Sequence, residues 1–236
     1  MTAGGVDADP AVGPILRFNI VDTIISVDNP GAPVTMASLG GSDPSQVPLV
    51  LTTWLFEFMH DLKDPATRLD PAAVGAHIDF YLDLWQGAEA RCFDGVMWSE
   101  HHFGAAYSPS PNLYISHVAA RTQHLRLGVL GMVGPYCTPW RVVEEFAMLS
   151  HITHGRYEMG LVSGIPPEFI AAGLSIPEMA ERHAEVCAVL DAARKGGRLT
   201  HHGAHWSFDD LEVQPPFRDP SAPVWTATRS QGSARH

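Results

Sequence analysis

A carboxylate and two adjacent imidazoles, Glu100-His101-His102, follow the apolar run Gly95-Val96-Met97-Trp98 with only Ser99 between. Imidazole titrates near neutrality and both accepts and donates protons, so general acid–base chemistry is one use of this arrangement. Metal ligation and a structural role remain open for the same residue types. A second cluster, His201-His202 with His205, has the spacing of a metal site, but no cysteine lies near it and it falls in a stretch containing Gly203 and Trp206. A structural reading is preferred there, and no metal is expected.

The elements that must position Glu100, His101 and His102 are legible in part. Gly95–Trp98 is short, continuous in apolar character and preceded by Asp94, which suits a strand buried on both faces of a parallel sheet. Leu49 to Met59 reads as the strand before it. Between them Val74, Ile78, Tyr81, Trp85 and Ala88 recur at helical spacing after Pro71. Pro111 to Gln123 reads as a helix and Leu125 to Val133 as a strand. Thr138-Pro139 is a cap and first helical position, with Val142, Val143, Phe146 and Leu149 as the buried stripe. Arg156 to Val162 is the next strand, after Gly155. Ser175 and Glu178 have capping-box spacing for a helix through Arg194 that Gly196-Gly197 ends. His201 to Val213 reads as a hairpin or irregular excursion, and Pro223 to Thr228 as a final strand. Ile15 to Val27 is a further strand candidate in an N-terminal extension, residues 1–47, whose first residues are expected to be flexible. Residues 48–236 form the main domain.

Strands alternating with helices imply right-handed βαβ units and a parallel sheet. Neither GxGxxG nor GxxxxGK[ST] occurs, which disfavours a nucleotide-binding doubly wound sheet. A (β/α) barrel is the better α/β candidate. Complete barrels of this type take about 250 residues, so this chain is expected to supply about five of the eight βα units and to be incomplete at its C-terminus.

Composition narrows the partners. The chain has 236 residues, 45% hydrophobic, and a net charge of -11, with 15 Lys and Arg scattered along it. Nucleic acid and anionic membrane surfaces are therefore not expected. No segment has the roughly 18 uncharged apolar residues of a membrane helix, and Met1 to Pro14 has no secretory pattern, so a cytoplasmic protein is expected. Cys92, Cys137 and Cys187 are widely spaced and read as buried thiols in a reducing compartment.

The ordered set of Glu100-His101-His102-Phe103, Ala119-Ala120-Arg121-Thr122, Leu125-Arg126-Leu127-Gly128, the Pro139–Glu145 helix start, Leu149–Gly160 and the Pro223–Ser233 strand and turn resembles the bacterial luciferase-like, flavin-dependent monooxygenases. The resemblance covers roughly residues 72 to 236. It implies a TIM barrel holding reduced FMN at the carboxyl ends of its strands, where O2 and a flavin hydroperoxide oxidise a small organic substrate. It implies a separate flavin reductase, a homodimer, and a catalytic role for His101, with Glu100 orienting His101 or lying behind it and His102 beside it. Leu130-Gly131 corresponds to the position where a non-prolyl cis peptide passes beneath the flavin. Ser163 and Gly164 stand near the flavin phosphate, where luciferase has an arginine that this chain lacks. Ser230 and Ser233 match the phosphate-binding turn, with Arg229 placed to supply the missing charge. Pro166-Pro167-Glu168 reads as a loop over the barrel mouth, either structural or touching flavin or substrate. Three alternatives accompany this reading: a shortened non-catalytic flavin-binding or subunit protein of the same family, a fragment of a longer gene product, and a deazaflavin-dependent oxidoreductase.

Overall fold

The structure, a computed structural model, describes residues 52–104 and 106–227. The strand expected at Ile15–Val27, and Arg229, Ser230 and Ser233, lie outside the described residues.

The first strand, β1 (Trp54–Glu57), leads to helix α1 (Pro71–Gln86). Asp70 starts that helix by accepting a hydrogen bond from the Ala73 N–H at 2.9 Å, with Pro71 as the first helical residue. Strand β2 (Gly95–Trp98) is buried along its whole length, as its apolar run predicts. Helix α2 (Pro111–Ala119) stops short of the expected Gln123. The reason is chemical: the N–H groups of Gln123, His124 and Leu125 donate to the Glu89 carboxylate, not to a further helical turn.

The single strand expected over Leu125–Val133 is two, β3 (Arg126–Val129) and β4 (Met132–Val133). They are separated by the cis peptide Leu130–Gly131. Helix α3 (Pro139–Ile152) follows, and Thr138 occupies its cap position without a side-chain bond to the backbone. Strand β5 (Tyr157–Val162) comes next, then α4 (Pro166–Ala171), a short helix where a loop was expected. Helix α5 (Ile176–Arg194) is capped by Ser175, which accepts from the Glu178 N–H. The Glu178 side chain turns to Arg182 instead of closing the box. Strands β6 (Leu199–His202) and β7 (Ser207–Leu211) form an antiparallel hairpin, and β8 (Val224–Trp225) ends the described chain.

Strands β1, β2, β3, β5 and β8 pair side by side, all parallel and in chain order. Beyond Leu130–Gly131, β4 continues along β5 with its register shifted by one residue. A doubly wound sheet reverses its strand order near the middle. This one does not, which is the order of a (β/α) barrel, and the sheet remains open among the described residues. The core between sheet and helices holds Trp85, Trp98, Phe146, Leu127, Val129 and Met159, all essentially out of contact with water. Burying each such side chain stabilises the fold by about 1.5 to 3 kcal/mol.

The α1 stripe is shallower than its spacing suggests. Trp85 is buried and Ala88, just beyond the helix, is buried with it, while Val74, Ile78 and Tyr81 are half-buried. The cysteine expectation needs correcting too. Cys92 is exposed at a left-handed turn with φ of 61°. Cys137 and Cys187 are half-buried, and burial pushes both thiols up to about 11.

Candidate active site

The carboxyl ends of the parallel strands bring the sequence candidates to one edge of the sheet. Where β2 ends, Ser99 is fixed to β1, its N–H and hydroxyl both donating to the Glu57 carbonyl at 3.0 and 3.2 Å. Ser108 then clamps the same segment from the other side: its hydroxyl donates to the Ser99 carbonyl at 2.5 Å, and its carbonyl accepts from the His101 N–H at 3.0 Å. Glu100, His101 and His102 therefore leave the strand on a held backbone.

Their side chains separate. Residues two apart along an extended chain point the same way, and neighbours point oppositely. Beyond the end of β2, Glu100 pairs with His102, Oε1 to Nε2 at 2.9 Å, and does not orient His101, one of the two roles expected of it. His101 is met by Glu168 of α4, Nδ1 to Oε1 at 2.9 Å. Both carboxylate residues are only 8% exposed. The Phe58 ring stacks on His101 at 5.7 Å between centroids and on His60 at 5.5 Å, a three-ring row at the end of β1.

Tyr136, in the turn after β4, sets its ring edge-on to His102 at 5.1 Å. Its hydroxyl is buried and has no hydrogen-bond partner among the described residues. Burial, reinforced by the negative charges of Glu168 and Glu100, pushes this phenol up to about 12. It is therefore a proton donor held out of water beside two anions. The bond from Glu100 raises His102 above its ordinary value; burial opposes this, and the charges of Glu100 and Glu168 support it.

Leu130 and Gly131 lie beside this edge. The Leu130 N–H donates to the Trp98 carbonyl at 2.7 Å, so the cis bend sits next to the end of β2. A Cβ at Gly131 would come within 2.9 Å of Val162 Cγ1 and 3.1 Å of the Leu161 carbonyl carbon. The glycine is required by the close approach of β4 and β5. Gly164 turns the chain out of β5 with φ of +85°, a conformation that side chains disfavour, and its position lies against Val133, Met179 and Tyr136. Ser163 is exposed at the same turn.

The histidine cluster elsewhere serves the hairpin. His201 bonds Glu185 at 2.9 Å, His205 bonds Glu181 at 3.0 Å, and His202 bonds Ser207 at 2.9 Å. The Glu185 carboxylate also accepts from the N–H groups of His205 and Trp206, fastening the hairpin to α5. Among the described residues no three His, Cys, Asp or Glu side chains are grouped to hold a metal ion.

Sequence reasoning passed over Phe58 and Tyr136 and treated Glu168 only as part of a loop. No local pattern points to them, because Phe58, Tyr136 and Glu168 each reach the edge from a different segment of the chain. Chemically, the edge offers two imidazoles held by carboxylates and one unfilled hydroxyl donor, a set suited to moving protons and to holding an oxygen of a bound molecule.

A model of proteins described as luciferase-like monooxygenases matches residues 59–236. Protein y4wF of Sinorhizobium fredii, itself uncharacterised, is 39% identical over 65% of this chain and 46% of its own. The oxygenase component of the flavin-dependent trigonelline monooxygenase of Acinetobacter baylyi is 29% identical over 66% of this chain and 44% of its own. The chain thus spans less than half the length of these relatives. Among solved structures, the oxygenating constituent of 3,6-diketocamphane monooxygenase from Pseudomonas putida, in complex with FMN, superposes with a TM-score of 0.62. The likeness covers 75% of this chain and 51% of that one at 19% identity, and shows the shared fold.

Proposed function

The chain belongs to the luciferase-like monooxygenase family, and on that premise we propose that it is the oxygenase component of a two-component flavin monooxygenase. It takes reduced FMN from a separate flavin reductase and uses O2 to oxidise a small organic substrate. Residues 48–236 are its barrel domain, following an extension at 1–47, and it works in the cytoplasm. The observation that carries the reading is the edge itself: carboxylate-held His101 and His102 beside the Leu130–Gly131 bend, with the Tyr136 hydroxyl unfilled.

This edge fits a flavin ring. The ring carries carbonyl oxygens and ring nitrogens that accept hydrogen bonds, and a buried donor without a partner costs about 1 to 3 kcal/mol until an acceptor arrives. When bound, reduced flavin supplies the electrons that activate O2. The chain's own residues do the rest. His101 holds and moves a proton at Nε2, the Tyr136 O–H donates to an oxygen of the bound molecule, and Phe58 keeps water from the face of His101. The Ser163–Gly164 turn is the proposed phosphate end, together with Arg229, Ser230 and Ser233.

Apolar side chains left exposed on the early helices, Phe80 at 62% and Leu113 at 71%, support a homodimer through α1 and α2. Light scattering of the purified chain checks this; a monomer at all concentrations removes the dimer.

The principal test is a titration of the purified chain with reduced FMN, followed by admission of O2. Binding is expected, and His101→Ala is expected to keep binding while slowing oxidation of an added substrate. Failure to bind FMN overturns the proposal. Preference for a deazaflavin overturns the cofactor, and binding of FMN with no oxygen chemistry in the presence of substrate points to a non-catalytic flavin-binding protein.

A further inference from the structure

We infer that Glu168 is a positioning residue that holds His101 as the Nδ1–H tautomer and so makes Nε2 the nitrogen that exchanges protons. The inference starts from an arrangement that sequence distance does not suggest. Glu168 and His101 are 67 residues apart, yet Oε1 stands 2.9 Å from Nδ1, and Nε2 has no hydrogen-bond partner among the described residues. An ionised carboxylate accepts hydrogen bonds and cannot donate one, so a neutral His101 in this contact carries its proton on Nδ1. Nε2 then has its lone pair free. When it takes a proton from an acid, that acid keeps the electron pair, and the Glu168 charge balances the imidazolium. A carboxylate on one ring nitrogen is a general means of fixing which nitrogen is available at the other.

The surroundings show that Glu168 is held for this contact. Helix α4 is only six residues long, but Phe169, next to Glu168, is 4% exposed and packs with Val133 and Met179. That anchor drives the neighbouring carboxylate inward, where it is 8% exposed. A carboxylate taken from water without a partner is costly, and the imidazole is the partner it finds. On the histidine side the backbone N–H is tied to Ser108 and one ring face is covered by Phe58. The ring is therefore fixed from its backbone, its face and its Nδ1 edge, and Nε2 is the remaining polar atom.

The catalytic value of this arrangement rests on the flavin reading above, whereas the tautomer does not. The test therefore begins without flavin, by nitrogen NMR of histidine-labelled protein at a pH where the ring is neutral, with His101 assigned from its absence in His101→Ala. The native protein is expected to show Nδ1 protonated and Nε2 bare. Glu168→Gln is expected to keep this state, since its amide oxygen still accepts, and Glu168→Ala to move the proton toward Nε2. If the alanine variant does not fold, Glu168→Met fills the space without offering an acceptor and gives the same readout. An unchanged tautomer in either, or an Nε2–H ring in the native protein, overturns the inference. With reduced FMN and O2, Glu168→Ala should slow substrate oxidation about tenfold, less than the roughly 100-fold expected for losing the imidazole, with glutamine recovering part of it. A tautomer shift without FMN binding sustains the positioning role and removes the flavin reading. FMN binding with no tautomer shift does the reverse.

Discussion

The two ends of the parallel sheet use their charged groups differently. At the amino ends of the strands, Arg156 donates to the carbonyls of Thr153, Leu125 and Ala119 and to the Thr122 hydroxyl, between 2.8 and 3.0 Å. Glu89 gathers the N–H groups that lead into β3, and Asp94 accepts from the N–H and hydroxyl of Thr53. Arg126 pairs with Glu158, whose other oxygen accepts from the Trp225 indole at 2.7 Å. These ions bond mostly to backbone and close the turns. At the carboxyl ends Glu100 and Glu168 bond to imidazoles, while Glu57 accepts from the Met59 N–H and the Trp85 indole; among the described residues a ring nitrogen of His101 and the Tyr136 hydroxyl have no partner. The first end spends its charges on closing turns, and the second is where the proposed ligand site lies, the division expected of a barrel.

That division is open to breakage, beginning with its strongest consequence. Arg156→Met strands the Leu125 and Ala119 carbonyls at the amino end, the Thr153 carbonyl keeping the Arg156 backbone N–H, and should cost about 3 kcal/mol in urea unfolding, while leaving the FMN affinity of the folded fraction unchanged. Equal loss of affinity would merge the two ends into one unit. At the other end, His101→Ala should reduce substrate oxidation by about 100-fold or more, and leaves the Glu168 carboxylate without its partner, a cost of about 1 to 3 kcal/mol in unfolding. A stability loss with substrate oxidation kept would make the imidazole structural.

Tyr136→Phe sharpens the contrast further. Removing an orphaned hydroxyl should leave the ligand-free protein as stable or up to about 1 kcal/mol more stable, yet weaken FMN or substrate binding by the worth of one hydrogen bond, about 0.5 to 1.5 kcal/mol. A clear loss of stability would mean that the hydroxyl is already satisfied. The smallest effect is in the pH dependence of stability, and it has opposite sign at the two ends. Glu89 is held low: burial raises it, but the N–H groups of His124, Leu125 and Gln123 together outweigh that. Its contribution is present above the ordinary carboxylate range and is lost as pH falls through its depressed value. His102 is held high, so its contribution is complete below the ordinary imidazole value, about 6.5, and is lost as pH rises through the raised value. Glu89→Gln should therefore flatten the acid limb of a stability–pH curve, and His102→Gln the limb above about 6.5. Interchange of these effects would overturn the assignment.

Much of this was legible in order along the chain. The apolar Gly95–Trp98 run, the proline starts of α1, α2 and α3, the Ser175 cap of α5 and the strand–helix alternation mark a parallel α/β sheet because each depends on local propensity and period. The proximity of Glu100, His101 and His102 to a strand end was legible for the same reason. The length of α2 was not, because its stop depends on Glu89, a residue on the far side of β2. The shallow burial of α1 was not either, because spacing marks a face and not how closely that face is covered.

The sequence by itself determined which residues stand at the strand ends, since chain order and the two-residue alternation of an extended backbone are local properties. Only the tertiary structure decided what His101 faces. Glu168 and Phe58 arrive from other βα units, and Tyr136 is placed by the turn after β4. Whether a carboxylate becomes a partner or a hydroxyl is left unfilled depends on distances of about 3 Å between segments far apart in the chain, and no local pattern encodes those.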